Sequence, residues 1–521
     1  MNIRQFMQDN SINYLLVNST NEFLVEYNTL NQNSRYKLTG FSGSTGDALI
    51  TPGTIFLFVD GRYHIQADQE VDHNIVTVVK LQTGQNFEDE IIKRIPENEI
   101  LGIFAKKNSQ NRVEKFAQNR KIKLLHKDPF DEDFEYSSAG DVVIDEKFTG
   151  ITSEEKIAKI SANLSEDEAI YITDQDEVSY VFNMRNFSRQ PYSAKIQAKA
   201  IIMKNNAILF NGEKLKNLDE FLRTVKQDVY VDKNTINAYD YALLGDRAFE
   251  LKSNPVKQMK AQKNGAEIEH LKSAFQRTDN AVKAIRDYIY NNDNISEFDI
   301  AVQLAKEFKN QGALGLSFAS IVAKGKNSAL AHYSKCSKDE IISDGDIVLI
   351  DCGGYFEGGL ATDITRVFVK GKPSQLHKKI YTHVLKAFLS AFNYPKMHDC
   401  NNIITGYEID KYVREYFNSQ NPDGFIFNHG LGHGIGVNVH EYPPNLSANE
   451  IAKVQLLEGE CFSIEPGLYK EGQFGIRLEN SCYYKDGRIH SFVKMPYEKK
   501  LINYDMLNDT EKQWLNEFEV I

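Results

Sequence analysis

Five short segments in the second half of the chain each place a carboxylate or an imidazole at or within an apolar run. Asp346-Ile-Val-Leu-Ile-Asp351 ends on an acid, and Asp363 opens Ile-Thr-Arg-Val-Phe-Val. His429-Gly-Leu-Gly-His433-Gly-Ile-Gly436 follows, then Cys461-Phe-Ser-Ile-Glu465-Pro-Gly467, then Gly475-Ile-Arg-Leu-Glu479-Asn480. A charged carboxylate in such a place is costly unless it is paired or bound to a cation. One is ordinary, because edge strands carry acids. Four carboxylates and a histidine in one β-rich half point to a shared task. The chemistry that needs such a set is a pair of divalent cations ~3.5–4 Å apart, sharing bridging carboxylates and a bridging water. Oxygen donors with a single imidazole suit Mn²⁺ or a similar ion better than a thiolate-rich zinc site would.

The spacing of His429 and His433 matches the two histidines of an HExxH helix. Glycines at 430, 432, 434 and 436 oppose a helix, and no glutamate follows the first histidine, so a single-zinc reading is rejected. Gly475, Arg477 and Glu479 fall on one face at period two, which predicts that Arg477 points with Glu479 toward the cluster. A guanidinium cannot ligate a cation, so its expected role is to orient a carboxylate.

The elements that must carry these residues read as follows. From residue 12 to about 130, short apolar runs alternate with turn signals: Asn13-Tyr-Leu-Leu-Val-Asn18, then Ala48-Leu-Ile-Thr and Thr54-Ile-Phe-Leu-Phe-Val59 around Pro52-Gly53. A similar hairpin recurs at Ala200-Ile-Ile-Met and Ala207-Ile-Leu-Phe210, which suggests two related α/β units. Thr152 and Glu155 have capping-box spacing and open a helix. Ser253-Asn254-Pro255 looks like a boundary. Residues 257–290 read as one long helix, with Ile268, Leu271 and Phe275 on one face. The stretch 321–484 is β-rich, the tail ends in a helix over 509–518, and the charges of 106–128 look like a solvated face.

The chain has 521 residues, with 61 Lys plus Arg against 72 Asp plus Glu, a formal charge of −11. That balance disfavours nucleic acid or an anionic membrane as the main partner. The N-terminus lacks a signal-peptide apolar core, and no run of about 18 apolar residues occurs. Five cysteines without CxxC spacing fit a reducing cytosol better than a disulfide framework. Cys352 and Cys461 read as core residues.

The five segments resemble the "pita-bread" metallopeptidases: methionine aminopeptidase, prolidase and aminopeptidase P. The signature there is Asp, Asp, His, Glu, Glu in that chain order. Leu38-Thr-Gly-Phe-Ser-Gly-Ser-Thr-Gly46, Asp60-Gly-Arg-Tyr63 and Asp176-Glu-Val-Ser-Tyr-Val-Phe-Asn-Met-Arg185 resemble the N-terminal and middle domains of aminopeptidase P. Lys499-Lys-Leu-Ile502 with Trp514-Leu-Asn516 resembles the C-terminal extension of its three-domain form.

The resemblance implies an α/β fold: creatinase-like domains at 1–130 and 131–255, then a pita-bread α+β catalytic domain at 256–521 with its extension from about 496. It implies two divalent metal ions, Mn²⁺ favoured. Asp351 would be the terminal ligand of one metal, Asp363 and Glu479 the bridging carboxylates, and His433 and Glu465 the ligands of the other. Glu465 would also shuttle protons. His332, His429 and His440 would line the substrate site without ligating, and Arg62 would meet substrate or a neighbouring subunit. The two aspartates are usually eleven residues apart; here the gap is twelve, and the extra residue is assigned to the 355–359 turn.

The implied activity is removal of the first residue from peptides with proline second, by a hydroxide bridging the two metals. Prolidase and a non-catalytic peptide-binding module are the alternatives, and a metal-free creatine-type hydrolase is disfavoured. The resemblance further implies a cytoplasmic homodimer, with the tail residues Trp514, Leu515 and Phe518 available for its contacts.

Overall fold

The structure is a computed structural model that describes residues 3–82, 84–131, 135–398 and 403–520. It divides into two compact units, one of Met1–Val143, Ile151–Pro191 and Lys195–Val256, the other of Ile144–Gly150, Tyr192–Ala194 and Lys257–Ile521.

The first unit holds two sheets built on one plan. In the six-stranded sheet, Tyr14–Asn18 pairs antiparallel with Asp47–Ile50 and parallel with Ile100–Phe104. Asp47–Ile50 turns back through a hairpin into Ile55–Val59. In the five-stranded sheet, Glu168–Ile172 pairs antiparallel with Ala198–Met203 and parallel with Asp228–Val231. Ala198–Met203 likewise forms a hairpin with Ala207–Asn211. The two hairpins therefore occupy equivalent places in related α/β units. Each parallel pair requires a crossover, and the helix Leu218–Thr224 lies on the one that leads to Asp228–Val231. The helix Ser153–Ser161 starts at Thr152 with the predicted capping box to Glu155.

In the second unit the strands form separate hydrogen-bonded sheets. Three are Ile321–Lys324, Ile347–Cys352 and Ile364–Val369. Five run in the order Glu441–Leu446, Gly432–Gly434, Cys461–Ile464, Asn480–Lys485 and Arg488–Ser491. Gly467–Lys470 and Phe474–Arg477 form a hairpin of their own. Every residue of Ile347–Cys352 and Ile364–Val369 is buried, which is why these strands are mostly apolar on both faces rather than alternating. Ile380, Val384, Leu385 and Phe388 of the helix Gln375–Phe392 share one core with Leu349, Val367, Phe462, Ile464 and Ile476. Each such side chain contributes about 1.5–3 kcal/mol on burial.

Three expectations need correction. The single helix expected over 257–290 is two, Pro255–Ala261 and Gly265–Asn291. Asn264 interrupts the helix because its side chain caps the N–H groups of Ala266 and Glu267, closing a capping box with Glu267. The 106–128 segment is not simply a solvated face. Lys107 is 4% exposed and lies 2.7 Å from Asp128 Oδ2, and Arg112 bonds Asp47 and Glu88. The tail helix covers only Asp509–Leu515, and its apolar residues pack on this chain's own core. Leu515 is buried, and the Phe518 ring lies edge-on to Phe388 and Phe392. Cys336, Cys352, Cys461 and Cys482 are free thiols; Cys400 lies outside the described residues.

Candidate metal centre

Asp351 lies near the end of the Ile347–Cys352 strand, opposite Thr365 in an antiparallel register that runs unbroken from Ile347↔Val369 to Cys352↔Ile364. That register sets Asp363, just before Ile364, beside the end of the same pair. The reversal between the two aspartates turns at Gly359, whose φ is +66°. The backbones then approach so closely that a Cβ on Gly353 would sit 1.8 Å from the Thr362 carbonyl oxygen. Only glycine fits there.

His433 lies in the short strand Gly432–Gly434, not on a helix. A Cβ on Gly432 would lie 1.9 Å from the Ser463 carbonyl oxygen, so the glycine lets this strand pack against its neighbour. Ser463 Oγ accepts the His433 N–H at 3.1 Å and donates to Glu465 Oε1 at 3.3 Å. Glu479 stands between two strands that belong to different sheets, Phe474–Arg477 and Asn480–Lys485. This corrects the expectation that Gly475, Arg477 and Glu479 alternate along one strand, since the strand ends at Arg477. Both side chains still meet Thr365. Its hydroxyl donates to Glu479 Oε2 at 2.7 Å and accepts from Arg477 Nε at 3.1 Å.

Asp363, His433 and Glu479 each offer a ligand atom within 4.8 Å of the others. His433 Nε2 is 3.6 Å from Asp363 Oδ2 and 3.4 Å from Glu465 Oε1. Asp351 is tied in through Arg477, whose Nη2 donates to Asp351 Oδ2 at 2.5 Å. Burial, reinforced by the charges of neighbouring carboxylates, holds Asp363 and Glu479 well above the usual carboxylate range. Burial also pushes Glu465 up to about 7, with Arg477 opposing and Asp351 adding to the shift. One guanidinium thus faces four carboxylates. The other oxygens of Asp351, Asp363 and Glu479, namely Oδ1, Oδ1 and Oε1, are buried without a hydrogen-bond donor among the described residues. Buried acceptors left open in one acidic cluster are what hard divalent cations require, so the residues present fit a metal pair.

The three other histidines stand on segments near this cluster. His440 packs its ring edge-on against His433, with centroids 4.4 Å apart. His429 Nε2 lies 2.9 Å from the Tyr469 hydroxyl, which accepts from Arg477 Nη1 at 2.7 Å. The same Nη1 donates to the carbonyl of Ala331, the residue before His332, at 3.2 Å. Arg62 belongs to the first unit, where its Nε and Nη2 donate to Asp60 and its Nη2 also to Thr45 Oγ1.

Buried carboxylates outside the cluster hold two of the histidine segments. Asp410, fully buried, accepts the Leu431 N–H at 3.1 Å and pairs with Arg414, which also donates to the His429 carbonyl. Glu441 accepts the Asn438 N–H at 3.0 Å and pairs with the buried Lys260 at 3.0 Å. Thr365, Ser463 and Tyr469 were not singled out from the sequence. The available signal is period two: Thr365 and Ser463 are polar residues two positions from Asp363 and Glu465 in mostly apolar runs.

Residues 269–486, which contain all five cluster residues, match the model of metallopeptidase family M24. Residues 1–123 and 135–267 each match a model of the Creatinase/Prolidase N-terminal domain. Residues 269–486 are thus the part of the chain that is similar to metallopeptidase family M24. The chain is 27% identical to a probable Xaa-Pro aminopeptidase P of Coprinopsis cinerea, covering 99% of this chain and 93% of that one. It is also 27% identical to Xaa-Pro aminopeptidase 1 of Dictyostelium discoideum, covering 99% and 91%. The fold matches the crystal structure of an X-prolyl aminopeptidase from Caenorhabditis elegans, described as a cytosolic enzyme with a di-nuclear active site. The TM-score is 0.87 at 22% identity, covering 97% of this chain and 90% of that one. The chain thus has two creatinase-like domains followed by a pita-bread domain. No helix among its described residues is long and apolar enough to cross a membrane.

Proposed function

We propose that this chain is an Xaa-Pro aminopeptidase, removing the first residue from peptides whose second residue is proline. The observation that carries the reading is the convergence of Asp351, Asp363, His433, Glu465 and Glu479 on one buried cluster with open acceptor atoms. In this reading Asp351 would hold one divalent ion, His433 and Glu465 would hold the other, and Asp363 and Glu479 would serve both, with Mn²⁺ the favoured metal. When bound, such ions supply Lewis acidity and lower the pKa of a coordinated water.

The chain's own residues do the rest. Arg477 takes one oxygen of Asp351 and leaves the other for a ligand. Thr365 fixes Oε2 of Glu479 and leaves Oε1 free. Glu465 carries a proton on its carboxylate, toward the leaving amine. His332 or His440 donates to the oxyanion that develops on the scissile carbonyl. His429 borders the proline pocket, and Arg62 contacts substrate or a neighbouring subunit. Proline has no N–H and restrains the residue before it, so the bond resists peptidases that grip an extended amide. The same reading cuts the chain into domains near residues 130 and 255, and makes the enzyme a cytoplasmic homodimer.

The test is a metal-dependent assay on Xaa-Pro-Yaa tripeptides and Xaa-Pro dipeptides, with Mn²⁺, Co²⁺ and Zn²⁺ compared. Release of the first residue from tripeptides is expected. Hydrolysis confined to dipeptides would make the chain a prolidase, and metal binding without hydrolysis would make it a binding module.

A further inference from the structure

Glu297 is fully buried at the first position of the helix Glu297–Asn310, yet it lies outside the metal cluster. Its two oxygens serve donors from a single stretch of chain, residues 324–337. Oε1 accepts from the Lys324 N–H at 2.7 Å and from Asn327 Nδ2 at 3.0 Å. Oε2 accepts from the Tyr333 hydroxyl at 2.8 Å and from the Ser337 N–H at 3.0 Å. Asn327 Nδ2 also reaches Oε2 at 3.2 Å and the Tyr333 hydroxyl at 3.1 Å. This stretch carries His332.

Its other side is fastened to the cluster. Arg477 Nη1 donates to the Ala331 carbonyl, and the Gly475 N–H donates to Ser328 Oγ at 2.9 Å. His332 therefore lies on a segment gripped by a buried carboxylate at its base and by the Arg477 strand at its crest. A buried carboxylate serves fold stability poorly compared with an apolar residue of similar size, because desolvation offsets its hydrogen bonds. It does fix the register of every donor it collects. Asp410 and Glu441 do the same for the segments of His429 and His440.

We propose that Glu297 is a positioning residue for His332, setting where that imidazole stands relative to the scissile bond. The proposal rests on the reading of His332 as a substrate-facing group. Glu297→Gln keeps the shape but turns an NH₂ toward donors that need an acceptor. Displacing a reacting group by an ångström costs about 10²-fold in rate. In Glu297→Gln we expect kcat on an Xaa-Pro tripeptide to fall about 10- to 100-fold, with KM little changed and metal content per chain at the native value. In a His332→Ala background the same change should alter kcat less than about 2-fold, because two residues acting as one unit are not additive.

An undiminished fall in the His332→Ala background, or loss of metal from Glu297→Gln, would overturn the proposal and make Glu297 a general support. A His332→Ala variant with native kcat would instead overturn the reading of His332 itself. Should Glu297→Gln not fold, Tyr333→Phe and Asn327→Ala each remove a single donor and must show the same dependence on His332.

Discussion

Asp363, His433 and Glu479 bring ligand atoms within 4.8 Å of one another, and substitutions in and around this group separate metal binding from catalysis. Asp363→Asn or Glu479→Gln should strip metal and abolish activity together, read as metal per chain beside kcat. His440→Ala should keep its metal and lose kcat, since on the proposed reading it acts on the oxyanion and is not a ligand. Metal loss in His440→Ala would mean that the ligands are wrongly assigned. Thr365→Val is the subtler probe. It preserves volume but removes the hydroxyl shared by Glu479 and Arg477. Metal affinity should fall about 10- to 100-fold in a chain that still folds, measured by competition with a chelator. The acids of the cluster are legible in the sequence because a carboxylate in an apolar run demands an explanation. Thr365, Ser463 and Tyr469 are not, because threonine, serine and tyrosine in strands demand none.

The helix Gln375–Phe392 carries a titration that the metal does not touch. His383 is 6% exposed, its Nδ1 lies 2.9 Å from the Tyr416 hydroxyl, and burial first, then Lys379 and Lys386, push it down to about 4. Asp423 pulls the other way. A histidine whose folded pKa lies below its unfolded one stabilises the fold above about pH 6.5, and that stability is lost as pH falls toward 4. At pH 5 the loss is up to about 2 kcal/mol. Melting temperature should drop between pH 7 and pH 5 in the native chain and drop less in His383→Gln; equal drops would refute the assignment. The hairpins of the two N-terminal sheets are legible as short apolar runs around turn residues. The break at Asn264 falls in the polar stretch Gln262-Lys-Asn-Gly265, where apolar spacing gives no guide and the Asn264/Glu267 capping pair with Gly265 marks the fresh start.

Two creatinase-like domains precede the M24-like domain, and no comparable ligand group occurs in them among the described residues. Their mass, with no ligand group of its own, makes a limit on the length of accepted peptides the expected outcome. Turnover on Xaa-Pro peptides of increasing length should therefore fall beyond a limit, and sedimentation should give twice the chain mass. A monomer that trims long chains as readily as tripeptides would end both expectations. The domain order is legible in the motif order. The packing of the tail is not, since Trp514, Leu515 and Phe518 look equally suited to a partner and to the chain's own core.

One buried side chain joins that tail to the cluster. Arg366 donates to the carbonyl of Glu479 at 2.7 Å, to Asn480 Oδ1 at 2.9 Å and to the Met495 carbonyl at 2.6 Å, with Tyr497 beneath it at 4.6 Å. On the proposed reading of Glu479 as a ligand, a group that bonds its backbone and the terminal segment links ion binding to the anchoring of that segment. Saturating the site with Mn²⁺ should slow carboxypeptidase digestion of the terminus, and clipping the terminus should raise the dissociation constant for the ion.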